Sequence, residues 1–446
     1  MSQITYFEEQ LLEYPGRKVR KSQPRAFLNR CVNQGGGAIL IPPRWAAREF
    51  CDPGLWIKAR LCPEALTPAE LKKLVRMFRN DEWWGFCLIV IATGSLLKKT
   101  GLPPFKEGIS HAFASGEFMA MQDLIDADPD LVLGPDIVAR SQEIMGYATA
   151  LIVSKRFVNA GPIPFHFHFG TAPDGKEEVH DVIAQDNPSI PPWHNLCHAI
   201  GLDPESSDED FLRCLQRWGQ KGGNGVLDLA QWHRIPVGTG TFKCPPLLLH
   251  APGAVATHEC HFPKDQHGLV QDRFDEFADP ALTPEMALGA APEVDYPKGQ
   301  RKDDWPYLMG KMDFDLNRRT DLMAAFFSPN AQADQFCDDG VNAFFSCHGA
   351  CPGKLETAIL RVEVKPGAKT TLRGLPSSGY CFLSQGKGRV AGLNLRLLNG
   401  LKFDGSIPRE GAFLTHQLVT AGVPIENTGK EPFVVTIDLQ KEVHLS

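Results

Sequence analysis

The 446-residue chain carries 46 Lys and Arg against 53 Asp and Glu, a formal net charge of −7, with 43% apolar and 22% charged residues. That balance leaves no electrostatic footprint for nucleic acid and suits two or three domains able to bury a core. The longest apolar run, "FCLIVIATGSLL" from Phe86, is too short to span a bilayer, and "MSQITYFEEQ" lacks the pattern of an export signal. The twelve cysteines follow no framework, which reads as reduced thiols in a cytoplasmic protein with no membrane partner.

In chain order, the basic run "RKVRKSQPR" (17–25) reads as a solvated face. The first 150 residues read as a helical N-terminal region. "TPAELKKLVRMF" supplies Thr67 as N-cap, Pro68 at the first helical position, and Leu71, Leu74, Val75 and Phe78 on one face. A second helix is expected from about Pro135 to Asn159. Residues 151–294 then read as a first β unit: "PFHFHFG" alternates as a strand, and Ser207 caps a helical insertion "DEDFLRCLQRW". Strands resume at "WHRIPVGTG" and "PPLLLHAPGAVATHE", with a short helix at "TPEMAL". Residues 295–343 read as a loop-rich connection. From 344 to 446 short strands between Gly and Pro turns ("AILRVEVKPG", "SGYCFLSQGKGRV", "LNLRLLNG", "PFVVTIDL") argue for a second sandwich or small barrel.

The densest chemistry lies in "IPFHFHFGTAPDGKEEVH", Ile163 to His180. Alternation puts Phe165, Phe167 and Phe169 on one face of a strand and His166 and His168 on the other. If "TAPDG" is a hairpin connection, the register sets His168 opposite Glu178 and His166 opposite His180, all on one face. An imidazole–carboxylate set of that kind suits a divalent cation, and His250, at the end of "PPLLLH", is the candidate for a further ligand. Three histidines and one carboxylate accept Zn²⁺, Fe²⁺, Mn²⁺, Ni²⁺ or Co²⁺ and do not decide among them.

These residues resemble the cupin superfamily, and within it the short bacterial form of type I mannose-6-phosphate isomerase. The likeness is carried by "HFH" (166–168), "GKEE" (175–178) and "HAPGAVATHE" (250–259). Flanking stretches such as "DADPDLVLGPDIVARSQ", "LVQDRFDEFADPALTPEMALGAAPEVDYP" and "FLSQGKGRVAG" extend it over roughly residues 120–446. The resemblance implies two cupin (jelly-roll) barrels, the first holding metal and the second metal-free. It also implies metal ligands at His168, Glu178 and His250, with His166 standing where that family has glutamine. The family's Trp-Gly-Gly stretch has no counterpart near the N-terminus.

The activity so implied is aldose–ketose isomerisation of a sugar or sugar phosphate, a small carbohydrate substrate. Glu259 would be a base or a support, Arg273 a cation for the enediolate or a phosphate, and Lys176 a holder of substrate oxygens. His180 is a further or supporting ligand candidate. The three-His, one-Glu set also fits an Fe²⁺ oxygenase, and the fold fits a non-catalytic sugar-binding protein. Elsewhere, "WHNLCH" sets His194 and His198 four apart, at helical spacing, and is expected to be structural. "HECH" (258–261) would split across strand faces, and "CHGAC" (347–351) reads as buried thiols. "QGGG" (34–37) and "GKG" (386–388) lack the context of a phosphate loop.

Overall fold

The computed structural model describes residues 22–42, 44–46, 67–69, 89–93, 110–158, 165–168, 176–184, 197–218, 223–253, 255–262, 268–271, 304–396 and 409–445. The protein is mainly β with some helices, and its strand pairings are antiparallel throughout. Most strands fall into two large sheets, each faced by a smaller one.

The first large sheet has the order Phe327–Pro329, Gly240–Cys244, Glu178–Ala184, Ala256–His261, Val153–Val158, Ile89–Thr93, Arg44–Ala46. Facing it is a five-stranded sheet: Ala230–Arg234, Cys197–Leu202, His250–Ala251, His166–Phe167, Gly268–Leu269. Val182, Phe242 and Cys244 from the one and Ile200 from the other share a buried cluster with Leu248 and Val255. The outer side of the small sheet is closed by the helices Asp208–Gln216 and Trp305–Met309, which cover Phe165, Phe167, Ala199 and Leu249. Each phenylalanine buried there contributes on the order of 2 kcal/mol.

The second large sheet runs Ala38–Leu40, Gly411–Leu414, Gly379–Gln385, Phe433–Leu439, Ala358–Val364, Val341–Cys347, Ala331–Gln332. Its smaller companion runs Lys369–Leu372, Val423–Asn427, Lys387–Val390, Leu393–Arg396. The expected strands of the C-terminal region are all present. The two large sheets lie back to back, for Val179, Cys260 and Phe262 pack in one core with Ile359, Tyr380 and Phe382. A buried polar strut crosses that seam. Arg156 donates to the Leu383 carbonyl (2.7 Å) and Ser384 Oγ (2.9 Å), and His258 Nε2 meets Asp438 at 2.8 Å. Burial draws the Arg156 guanidinium down to about 10, with Asp438 and Glu410 opposing.

Four expectations need correction. The N-terminal region is not simply helical: Ala38–Leu40 pairs with Gly411–Leu414 in the second large sheet, while Arg44–Ala46 and Ile89–Thr93 extend the first. Its helix Pro24–Gly35 ends at Gly36 in the left-handed region (φ 59°), where a Cβ would stand 2.9 Å from the Gly392 nitrogen. The helix expected over 135–159 stops at Met145, closed by Gly146 (φ 77°), and "VSKRFV" is a strand, as its β-branched and aromatic content favours. The expected 295–343 loop carries three short helices and the strands Phe327–Pro329 and Ala331–Gln332; Trp305–Met309 and Phe314–Asn317 lie against the small sheet, and Leu322–Phe326 packs on Gly240–Cys244 of the large one. "HFHFG" and "EEVHDVIA" are not hairpin partners but strands of two facing sheets.

Ser207 caps Asp208–Gln216 through a reciprocal capping box with Asp210, as expected. The helix from Thr67 lies almost wholly outside the described residues, and "TPEMAL" wholly so. Among the described residues no helix is long and apolar enough to cross a membrane.

Candidate metal centre

Two facing sheets bring the four expected ligands together. His166 and His250 are direct cross-strand partners in the small sheet, and the His168 carbonyl accepts the Leu247 N–H at 3.0 Å. Glu178 opens its strand in the facing large sheet, paired with Cys244 on one side and His261 on the other. The expected hairpin register is therefore wrong: His180 lies opposite Phe242 and Glu259, not opposite His166. Convergence survives because inward-pointing residues of two stacked sheets meet in the same interior. One potential ligand atom from each of His166, His168, Glu178 and His250 lies within 4.8 Å of all the others, and all four residues are buried.

Glu178 Oε1 is the hub. It stands 2.6 Å from His250 Nε2, 3.1 Å from His168 Nε2 and 3.1 Å from His180 Nε2. Burial opposes charge on Glu178, but Lys176 and then the surrounding imidazoles hold its carboxyl well below the usual range. Burial, followed by Lys176, lowers His168, keeping the imidazole in the neutral, ligating form. His250 moves the other way. Burial opposes its charge, but contact with Cys244 and Glu178 raises it well above the ordinary value. A cation entering there would displace that proton. His250 Nδ1 stands 3.0 Å from the Leu248 carbonyl, the bond that fixes a ligating imidazole with Nε2 free. The donor set of three imidazole nitrogens and one carboxylate oxygen, buried and pre-oriented, fits a divalent transition metal.

Next to this set lies a second constellation. Lys176 Nζ bridges Glu178 Oε2 (2.5 Å) and Glu259 Oε1 (2.9 Å). Lys155 Nζ approaches Glu259 Oε1 at 3.6 Å, His261 Nε2 the same oxygen at 3.8 Å, and His180 Nδ1 reaches Glu259 Oε2 at 4.0 Å. Glu178, His180 and Glu259 also converge as possible ligands. Two ammonium groups already supply positive charge at that spot, which makes it a poor second cation site.

Sequence reading missed Lys155 and His261. The signal for Lys155 was a lone lysine in the apolar strand "LIVSKRFV"; for His261 it was two-residue spacing from Glu259 on one strand face. "HECH" does split as expected. Glu259 and His261 face the metal set, whereas His258 faces Asp438 and accepts from Arg156 Nε at Nδ1 (3.3 Å). His258, Cys260 and Asp438 also converge, but the Arg156 guanidinium beside them makes a poor neighbour for a cation.

Arg273 and His194 lie outside the described residues. His198 sits on the strand Cys197–Leu202, so the helical spacing of "WHNLCH" does not operate. Cys347 and Cys351 are buried free thiols, and Lys243 Nζ donates to the carbonyls of His348, Gly349 and Ala350 between them.

No protein-family model and no curated protein matches the sequence. Solved structures do. A proposed mannosephosphate isomerase from Archaeoglobus fulgidus superposes with TM-score 0.51 at 10% identity, over 91% of this chain and 97% of that one. A phosphomannose isomerase variant from Salmonella typhimurium gives 0.51 at 10% identity, over 91% and 100%. A mannose 6-phosphate isomerase bound with zinc and yttrium gives the same values. The likeness is one of fold. The resemblance to mannose-6-phosphate isomerases drawn from the sequence thus holds at that level, and an activity has to be argued from the site itself.

Proposed function

We propose that the protein is a metal-dependent aldose–ketose isomerase of a sugar or sugar phosphate, built on two cupin barrels of which the first holds the metal. Supporting this reading is one observation: a three-imidazole, one-carboxylate set adjoins a buried Lys176–Glu259 pair (2.9 Å). His166, His168, Glu178 and His250 would hold the ion, with zinc first and Fe²⁺, Mn²⁺, Ni²⁺ or Co²⁺ also compatible. A bound divalent ion would polarise the substrate's carbonyl and adjacent hydroxyl.

The remaining work falls to side chains. Glu259 takes a proton from one carbon and returns it to its neighbour, a role worth roughly 10²–10⁴ in rate. Lys176, held between the two carboxylates, directs an N–H toward the substrate oxygen on which charge builds. Lys155, buried behind Glu259, fixes that carboxylate's position. The small sheet and its capping helices exclude water from the set.

Metal analysis of protein purified without chelator, followed by aldose–ketose and oxygen-uptake assays, tests the reading. Metal-dependent isomerisation supports it; oxygen consumption without isomerisation replaces it with the oxygenase chemistry that the same ligands permit.

A further inference from the structure

Beyond the metal set, the small sheet carries two more inward histidines that the mechanism does not use. His198 and His233 are direct cross-strand partners, and His198 lies two residues from Ile200, the partner of His250. Alternation therefore puts His198 and His233 on the face that carries His166 and His250. His198 is 4% exposed and His233 is half-buried. Among the described residues neither Nε2 has a hydrogen-bond partner.

Their tautomers differ, and the difference is informative. His198 Nδ1 accepts the Gly253 N–H at 3.3 Å, so in the neutral ring the proton is on Nε2. Burial, with His180 and His233 adding to it, keeps that ring neutral, down to about 3. His233 is engaged by the Ile200 backbone in a contact that favours the protonated nitrogen, which assigns its proton to Nδ1 and leaves Nε2 as an acceptor. Side by side the sheet thus presents one unmet donor and one unmet acceptor. A buried polar group without a partner costs on the order of 1–3 kcal/mol, so such a pair points to a ligand.

We propose that His198 and His233 form a neutral donor–acceptor subsite for a hydroxyl of a polyhydroxylated ligand, an inference that rests on the carbohydrate reading above and extends it. A hydroxyl donates one hydrogen bond and accepts another, which this pair demands together; a carbonyl or sulfate oxygen only accepts. The subsite thereby selects ligands carrying a free hydroxyl away from the reacting carbons, and discriminates against deoxy analogues.

The test uses the metal-loaded full chain labelled with ¹⁵N-histidine, titrated with mannose 6-phosphate, mannitol and inorganic sulfate. The expected result is a shift of the His198 and His233 Nε2 resonances with the two polyhydroxy probes and none with sulfate. His198→Leu should weaken mannose 6-phosphate binding about tenfold at unchanged metal content, and His198→Gln, which restores an N–H donor near Nε2, should recover most of it. Imidazoles unmoved by either polyhydroxy probe, as when only water fills the pair, would overturn the inference, as would equal affinity in wild type and His198→Leu. Metal content and isomerisation measured on the same samples report separately on the proposed function, so the two fail independently.

Discussion

His250 stands directly across from His166 in the small sheet, and its Nε2 meets Glu178 of the facing sheet at 2.6 Å. The candidate centre is therefore a clamp between two sheets rather than a feature of one hairpin. Its geometry depends on whatever holds those sheets at their spacing.

Asn317 is one such support. Its Oδ1 accepts the Leu249 N–H at 2.7 Å and its Nδ2 donates to the Leu247 carbonyl at 2.9 Å, which pins the strand that carries His250. Asn317→Ala leaves buried backbone groups unpaired and is expected to cost about 1–3 kcal/mol in urea unfolding. It should also weaken metal retention, although Asn317 touches no candidate ligand. A variant as stable as wild type would show that the helices over residues 304–326 are ornamental to the site.

Glu178 is a proposed ligand and a counter-ion of Lys176. In metal-free protein Glu178→Ala removes one of the two carboxylates that the buried Lys176 ammonium bridges and leaves it with Glu259 alone, and a loss of about 1.5–3 kcal/mol in chemical denaturation is expected. The double substitution with Lys176→Met should recover part of that loss, because the ammonium left with a single counter-ion is removed as well. Absence of coupling between the two positions in a double-mutant cycle would contradict the bridging role.

How far the sequence carried this picture varies with the kind of signal. Local alternation correctly separated Phe165 and Phe167 from His166 and His168, because side-chain period along a strand needs no knowledge of partners. The Ser207 cap was legible for the same reason. Register was not: loop length between His168 and Glu178 suggested a hairpin, yet the chain crosses between sheets there, and only distant strands such as His250–Ala251 and Gly240–Cys244 reveal it. The N-terminal strands escaped because their partners, such as Leu414 for Ala38, lie nearly the whole chain away. Lys155 escaped because a single buried lysine acquires meaning only when Glu259 is seen beside it.

His198 gives the protein a specific acid sensitivity. Its folded-state value of about 3 lies below the ordinary 6.5, so between those limits the unfolded chain binds a proton that the folded one refuses. Stability is complete above about pH 6.5 and falls as pH drops toward 3, by up to about 1.4 kcal/mol per unit from this group. Denaturation of wild type and His198→Gln at pH 7.5 and 5 should show the wild type losing roughly 2 kcal/mol more than the variant. Parallel losses would mean that His198 is protonated within the fold.

Glu259→Gln keeps the shape of the proposed base and removes its basicity. The expected outcome is a fall in kcat of roughly 10²–10⁴ with KM and metal content little changed. A fall in KM-limited binding alone would reassign Glu259 to a supporting role.

In the proposed centre His166, His168, Glu178 and His250 grip one divalent cation between two sheets. Elemental analysis of wild type and His168→Ala, purified in parallel without chelator, addresses it most directly. The expected result is about one transition-metal ion per wild-type chain and a nearly empty variant that still folds. Full metal occupancy in His168→Ala, or a wild-type chain that takes up no metal when supplied with Zn²⁺, Mn²⁺, Fe²⁺, Ni²⁺ or Co²⁺, would contradict it.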